Sequence, residues 1–145
     1  MPDPAPKIEL DLAPWQREFI DTVFSSPYYE WAGVSLETLR PGHARVSLQA
    51  NPITHTPWGS VNGGSIASLL ELPAFLALLT EMKEGEFAAT IDLFVQNLKP
   101  IPAGAPVVLE GRLIRRARSL AWCESAALLS ETPHTLARIT KSLKT

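Results

Sequence analysis

The chain has 145 residues, with 13 Lys and Arg set against 15 Asp and Glu and a formal net charge of -2 at pH 7. That length suits one domain with room for a core, and 46% hydrophobic with 19% charged residues excludes a disordered or fibrous chain. The near-even charge gives no general attraction for nucleic acid, and the single cysteine, Cys123, excludes an internal disulfide and a multi-cysteine zinc site, which fits a cytoplasmic setting.

Residues 1–10, MPDPAPKIEL, lack the charged start and apolar stretch of a signal peptide, and their prolines predict a flexible leader before one domain over 11–145. Leu12, Trp15, Phe19, Ile20, Val23 and Phe24 then recur at helical steps, which predicts an amphipathic helix with Asp11 as N-cap, ending before Pro27. GVSLETL and HARVSLQA, Gly33 to Leu39 and His43 to Ala50, read as two strands joined through RPGH, where Pro41 and Gly42 supply the turn. Asn51 to Val61 is a loop rich in Pro, Thr and Gly, and a helix is expected from Asn62 onward.

In Trp58 to Leu79 the one charged side chain is Glu71. Ile66 to Leu79 is 14 residues long, short of the roughly 20 that span a bilayer, so the segment predicts a buried helix and no membrane span. Ser65, Ser68 and Glu71 fall three apart along one helix edge, and Pro73 predicts a bend or break beside Glu71. Four strands follow, Ala88 to Leu98, Val107 to Arg116, Leu120 to Leu129 and Thr135 to Leu143, the last three as a meander. The class is α+β.

His43, His55 and His134 fall on a strand, in a loop and in a turn, without the spacing that sets two ligands on one helix face, so no metal site is expected. No nucleophile elbow, phosphate loop or dinucleotide fingerprint is present. What remains is Gly63 and Gly64 opening a helix, where unpaired N–H groups and a partial positive charge can receive a carbonyl oxygen, and Glu71 further along. Eight helical residues are about 12 Å, too far for Gly63 and Glu71 of one chain to act on one carbonyl carbon. A catalytic site built from them requires a homodimer. Lys99, Arg112, Arg115, Arg116 and Arg118 form a local basic cluster, either a solvated sheet face or the seat of a small anion.

The succession LRPGHARVSLQA, THTPWGSVNGGSIASLLE, ATIDLFVQNLKPIPAG and VVLEGRLIRRARSLAWCESAALL resembles the hot-dog-fold acyl-CoA thioesterases of the PaaI-like branch, from about Tyr28 to the C-terminus. The family pattern of Asn-x-x-Gly-x-x-His-Gly-Gly followed by an acid lines up on Thr56, Gly59, Asn62, Gly63, Gly64 and Glu71. Asn62 stands where the family has histidine and Thr56 where it has asparagine. The resemblance implies a hot-dog fold, a curved antiparallel sheet wrapped around a long central helix, here with an extra N-terminal helix. It implies a thioesterase acting on an aromatic or medium-chain acyl-CoA in a homodimer, as a dimer of dimers (homotetramer), with no cofactor beyond the coenzyme A of the substrate.

The catalytic residues it implies are Glu71 as base or nucleophile, Gly63 and Asn62 as oxyanion donors, and Thr56. Gly64, Ser68, Trp58, Phe75 and Thr90 would contact substrate, with Leu72 beside Trp58 and Phe75 in the acyl pocket. Thr90 and Thr56 are the candidates to touch the carboxylate or its water. Lys99, Arg116 and Arg118 would take the coenzyme A phosphates. The alternative reading is a hot-dog domain that binds an acyl-CoA or acyl ligand without hydrolysing it.

Overall fold

A computed structural model describes residues 3–145. In chain order its elements are β1 (Lys7–Ile8), α1 (Pro14–Phe24), α2 (Pro27–Ala32), β2 (Val34–Arg40), β3 (His43–Leu48), α3 (Gly63–Leu69), α4 (Glu71–Leu79), β4 (Phe87–Asn97), β5 (Val107–Arg116), β6 (Leu120–Leu129) and β7 (Thr132–Lys144). The strands form one seven-stranded sheet in the order β1-β2-β3-β5-β6-β7-β4. All pairings are antiparallel except β1 with β2, which is parallel.

The helical segment predicted from Asn62 is two helices that meet at Leu70. Pro73 has no N–H to give to Leu69 and is accommodated in the first turn of α4, so the expected break falls beside Glu71. Leu72, Pro73, Ala74, Leu76, Ala77, Leu78 and Leu79 are all buried, as an apolar helix must be when it is covered on most sides. The sheet covers one side, α4 packing on β3, β5 and β6. A Cβ on Gly111 of β5 would stand 2.2 Å from the Pro73 carbonyl carbon, so the strand must be glycine there for the helix to lie this close. On the other side α1 lays Phe19 against Phe75, ring centroids 5.5 Å apart, and Gln16 donates to the Leu79 carbonyl at 2.9 Å.

Three expectations change. Asp11 is not the N-cap of α1: Ala13 is, with Pro14 at the first helical position and the Gln16 side chain accepting the Ala13 N–H at 2.9 Å. Pro27 does more than follow the end of α1, because it opens α2, which ends on Gly33 at φ 79. Of the leader expected over 1–10, residues 1 and 2 lie outside the described residues, while Lys7 and Ile8 pair with Thr38 and Leu39 as β1. No helix among the described residues is long and apolar enough to cross a membrane.

Candidate active site

Asn62 caps α3, its Oδ1 accepting the N–H of Gly64 at 2.9 Å and of Ser65 at 3.3 Å. These bonds commit the Asn62 oxygen and the Gly64 N–H to the helix and leave the Asn62 NH2 group exposed. The Gly63 N–H meets no acceptor among the described residues, as befits the first position of a helix. It opens on a groove of about 390 Å³ lined by Thr56, Ser60, Gly63, Asn97, Lys99 and Thr135, among others. Asn97 of β4 forms the wall against Gly63, where a Cβ would meet its Nδ2 at 3.3 Å. Thr56 lines this groove, not the Glu71 end, and its hydroxyl is tied to Ser60 Oγ at 2.8 Å within a tight turn.

Glu71 begins α4 with its side chain 34% exposed. Thr90 Oγ1 donates to Glu71 Oε1, and Lys141 Nζ lies 2.9 Å from Thr90 Oγ1 and 3.8 Å from Glu71 Oε1. Lys141 is 6% exposed, on the inner face of β7 between Ile139 and Leu143. Burial holds its pKa below the ordinary lysine value, and the neighbouring Glu71 carboxylate opposes that shift. Burial also pushes the Cys123 thiol, which faces Lys141 from β6, up to about 11, and raises the Tyr29 phenol beside Glu71.

Thr90 reaches this position through an irregularity in β4. Register shifts between Thr90 and Asp92, so Thr90 pairs with Lys141, whereas Leu93 pairs with Ile139 and Asn97 with Thr135. The extra residue, Ile91, changes the phase of the strand and turns Thr90 and Asn97 to the same inner face, seven residues apart. One end of β4 therefore carries the Glu71 cluster and the other end carries the Gly63 groove.

The remaining expected contacts separate. Ser68 bonds Tyr28 through their hydroxyls at 2.5 Å, on the exposed side of α3. Trp58 is 86% exposed in its loop, Leu72 is core, and Phe75 is covered by Phe19, so the three do not form the expected acyl pocket within one chain. Arg116 donates to Glu86 and to the Glu81 carbonyl and is spent on those partners. Arg118 lines a different surface depression, with Glu81, Lys83 and Lys144, so Lys99 alone of the three expected phosphate ligands lies at the Gly63 groove. Among the described residues no three His, Cys, Asp or Glu side chains come together as a metal site.

Sequence reading did not find Lys141, although the signal was present: it falls in the inward phase of β7 with Ala137, Ile139 and Leu143. Asn97 and Tyr28 gave no comparable signal.

Residues 59–128 match the family model described as the thioesterase superfamily. The chain has the hot-dog fold, and the matched segment, just under half of its length, resembles the thioesterase superfamily. It is similar in fold to a thioesterase from Haemophilus influenzae, 19% identical over 88% of this chain and 89% of that one, with a TM-score of 0.79. It is similar also to a mutant of the phenylacetic acid degradation protein PaaI of Thermus thermophilus (21% identical, 81% and 98% covered, TM-score 0.73). Zebra fish thioesterase superfamily member 2 superposes at a TM-score of 0.77, with 16% identity and 88% and 94% covered. No curated protein matches the chain in sequence.

Proposed function

We propose that the chain hydrolyses the thioester of an aromatic or medium-chain acyl-CoA in two equivalent sites, each shared by two copies of the chain. The observation that carries this reading is the division of the site along β4. Glu71 stands at Thr90, the unoccupied Gly63 N–H stands at Asn97, and β4 is the last strand of the sheet, with a free edge. That strand is 11 residues long and exposes Phe87, Ile91 and Phe94, the kind of long apolar edge that pairs with another strand. Antiparallel pairing of two β4 strands that sets Thr90 opposite the partner's Asn97 brings Glu71 beside the partner's Gly63, and does so twice.

In such a site the partner's Gly63 N–H receives the thioester oxygen, with the NH2 of the partner's Asn62 as second donor. Glu71 takes a proton from a water as that water attacks the carbon, or attacks the carbon itself to give a mixed anhydride that water then hydrolyses to the free acid and Glu71; either route expels the coenzyme A thiolate, which is then protonated. Single turnover in ¹⁸O water labels Glu71 only on the second route. Lys99, at the groove, is the cation placed to meet the phosphates of coenzyme A. Leu93 of β4, on the inner face with Thr90, and the tyrosines of α2 flank the acyl group.

A second reading, acyl-CoA binding without hydrolysis, is favoured by one observation. The oxygen of Asn62 and the hydroxyl of Thr56, at the positions where the family pattern has histidine and asparagine, serve a helix cap and a turn. The purified protein against a panel of acyl-CoAs with a thiol reagent, beside Glu71→Gln, separates the two. Turnover lost in the variant supports hydrolysis. No turnover on any acyl-CoA, with the same ligands raising Tm, supports binding alone.

A further inference from the structure

Lys141 has a place in the fold that its residue type does not explain. A lysine is almost never fully buried unless paired, and the inner face of β7 is otherwise Thr135, Ala137, Ile139 and Leu143, all buried. Its ammonium has three protons to donate and no lone pair, so at 2.9 Å the Thr90 oxygen must accept from it. Thr90 has one proton left, and the one acceptor beside it is Glu71 Oε1. The orientation of the Thr90 hydroxyl is thus dictated from behind, by a group that cannot accept.

We propose that Lys141 is a positioning residue for the reaction: through Thr90 it fixes Glu71 Oε1, leaves Oε2 to act, and supplies the counter-charge when an acyl group excludes water from the carboxylate. This rests on the thioesterase reading of Glu71. Without a counter-charge, an apolar acyl group laid over a carboxylate that is one-third exposed would favour its protonated, inactive form. The other titratable groups packed here, Cys123 from β6 and Tyr29 from α2, have their ionisation pushed upward, so both are neutral near pH 7 and neither replaces the lysine. Lys141 is the cation within 4 Å of Glu71 among the described residues.

The test is Lys141→Met, which keeps the shape and removes the charge, with Thr90→Val and the double variant. Kinetics on phenylacetyl-CoA and octanoyl-CoA should show kcat of Lys141→Met down at least tenfold with KM within about twofold. Its Tm should stay the same or rise, because a buried ion has been replaced by a packed apolar chain. The double variant should be no slower than the worse single one, since both act through one bond chain. Lys141→Gln, which donates without charge, should fall between wild type and Lys141→Met, and it carries the test if the methionine variant does not fold.

Unchanged kcat in both Lys141 variants would overturn the proposal, as would a loss confined to Tm. If the wild type hydrolyses nothing, the thioesterase reading fails, and ¹³C NMR still decides the coupling: the Glu71 carboxyl resonance at about pH 7 should move in both Lys141→Met and Thr90→Val relative to wild type, and an unmoved resonance in both overturns it.

Discussion

Replacing Gly63 with proline removes one hydrogen atom from the proposed site, the N–H that would hold the thioester oxygen. The position accepts proline on local grounds. Gly63 is the first residue of α3, where the N–H has no intrahelical partner, and Asn62 before it, at φ -57 and ψ 126, already has the extended conformation that a residue preceding proline prefers. The nearest obstacle to a Cβ is the Asn97 side-chain amide at 3.3 Å, which can rotate away. Stability should therefore change by less than about 1 kcal/mol, since no helical hydrogen bond is lost. Loss of one oxyanion donor corresponds to roughly 10²–10³ in kcat, about 2.7–4 kcal/mol in the barrier. Gly63→Ala is the control, because it places the same Cβ against Asn97 and retains the N–H. Steady-state hydrolysis with a thiol reagent, beside thermal melts, reads the comparison. Gly63→Pro within threefold of wild type, or Gly63→Ala as slow as Gly63→Pro, would refute the assignment of this N–H.

Two further predictions concern the frame around the site. Gly111→Ala drives a Cβ to 2.2–2.5 Å from the backbone of Pro73 and Ala74, which cannot move without lifting α4 from the sheet; a loss of about 3 kcal/mol is expected, seen as a lower urea midpoint at unchanged m, and a loss under about 1 kcal/mol would contradict the packing. For Lys141, burial lowers the folded pKa below its unfolded value of 10.5, so the folded state releases its proton first as pH rises. The unfolded state then binds more protons, and stability rises with pH between the lowered value and 10.5, the burial penalty being fully present below that window. Urea melts of wild type and Lys141→Met across about pH 7–11 should differ by this rise; parallel curves would contradict it.

The parts of the fold that were legible in the sequence are those set by period and punctuation. The alternation of HARVSLQA and of the meander located β3, β5 and β6, and Pro73 located the break between α3 and α4. Pro27 does lie past the end of α1, as its ring predicts, but the same ring chemistry also opens the next helix, and α2 becomes visible only through its Gly33 cap and its packing. At the site, Gly63 and Glu71 were legible as a helix start and a lone charge. The Glu71–Thr90–Lys141 chain was not, because the register shift at Ile91 is invisible to an alternation pattern: Ile91, Leu93 and Val95 read as one face, whereas Ile91 is exposed and Thr90 turns inward. Arg116 could not be told from a phosphate ligand without Glu86, which lies 30 residues away in the chain.

The shared site is tested most directly by a heterodimer. Glu71→Gln and Gly63→Pro chains, co-expressed with different tags and isolated as the mixed pair, would hold one site with both defects and one with neither. Each homodimer should retain about 1% of wild-type turnover or less, from the size of the donor effect and loss of the carboxylate. The mixed pair should regain about half of wild-type turnover per dimer. Activity no higher than the mean of the two parents would contradict the account and return Glu71 and Gly63 to separate roles.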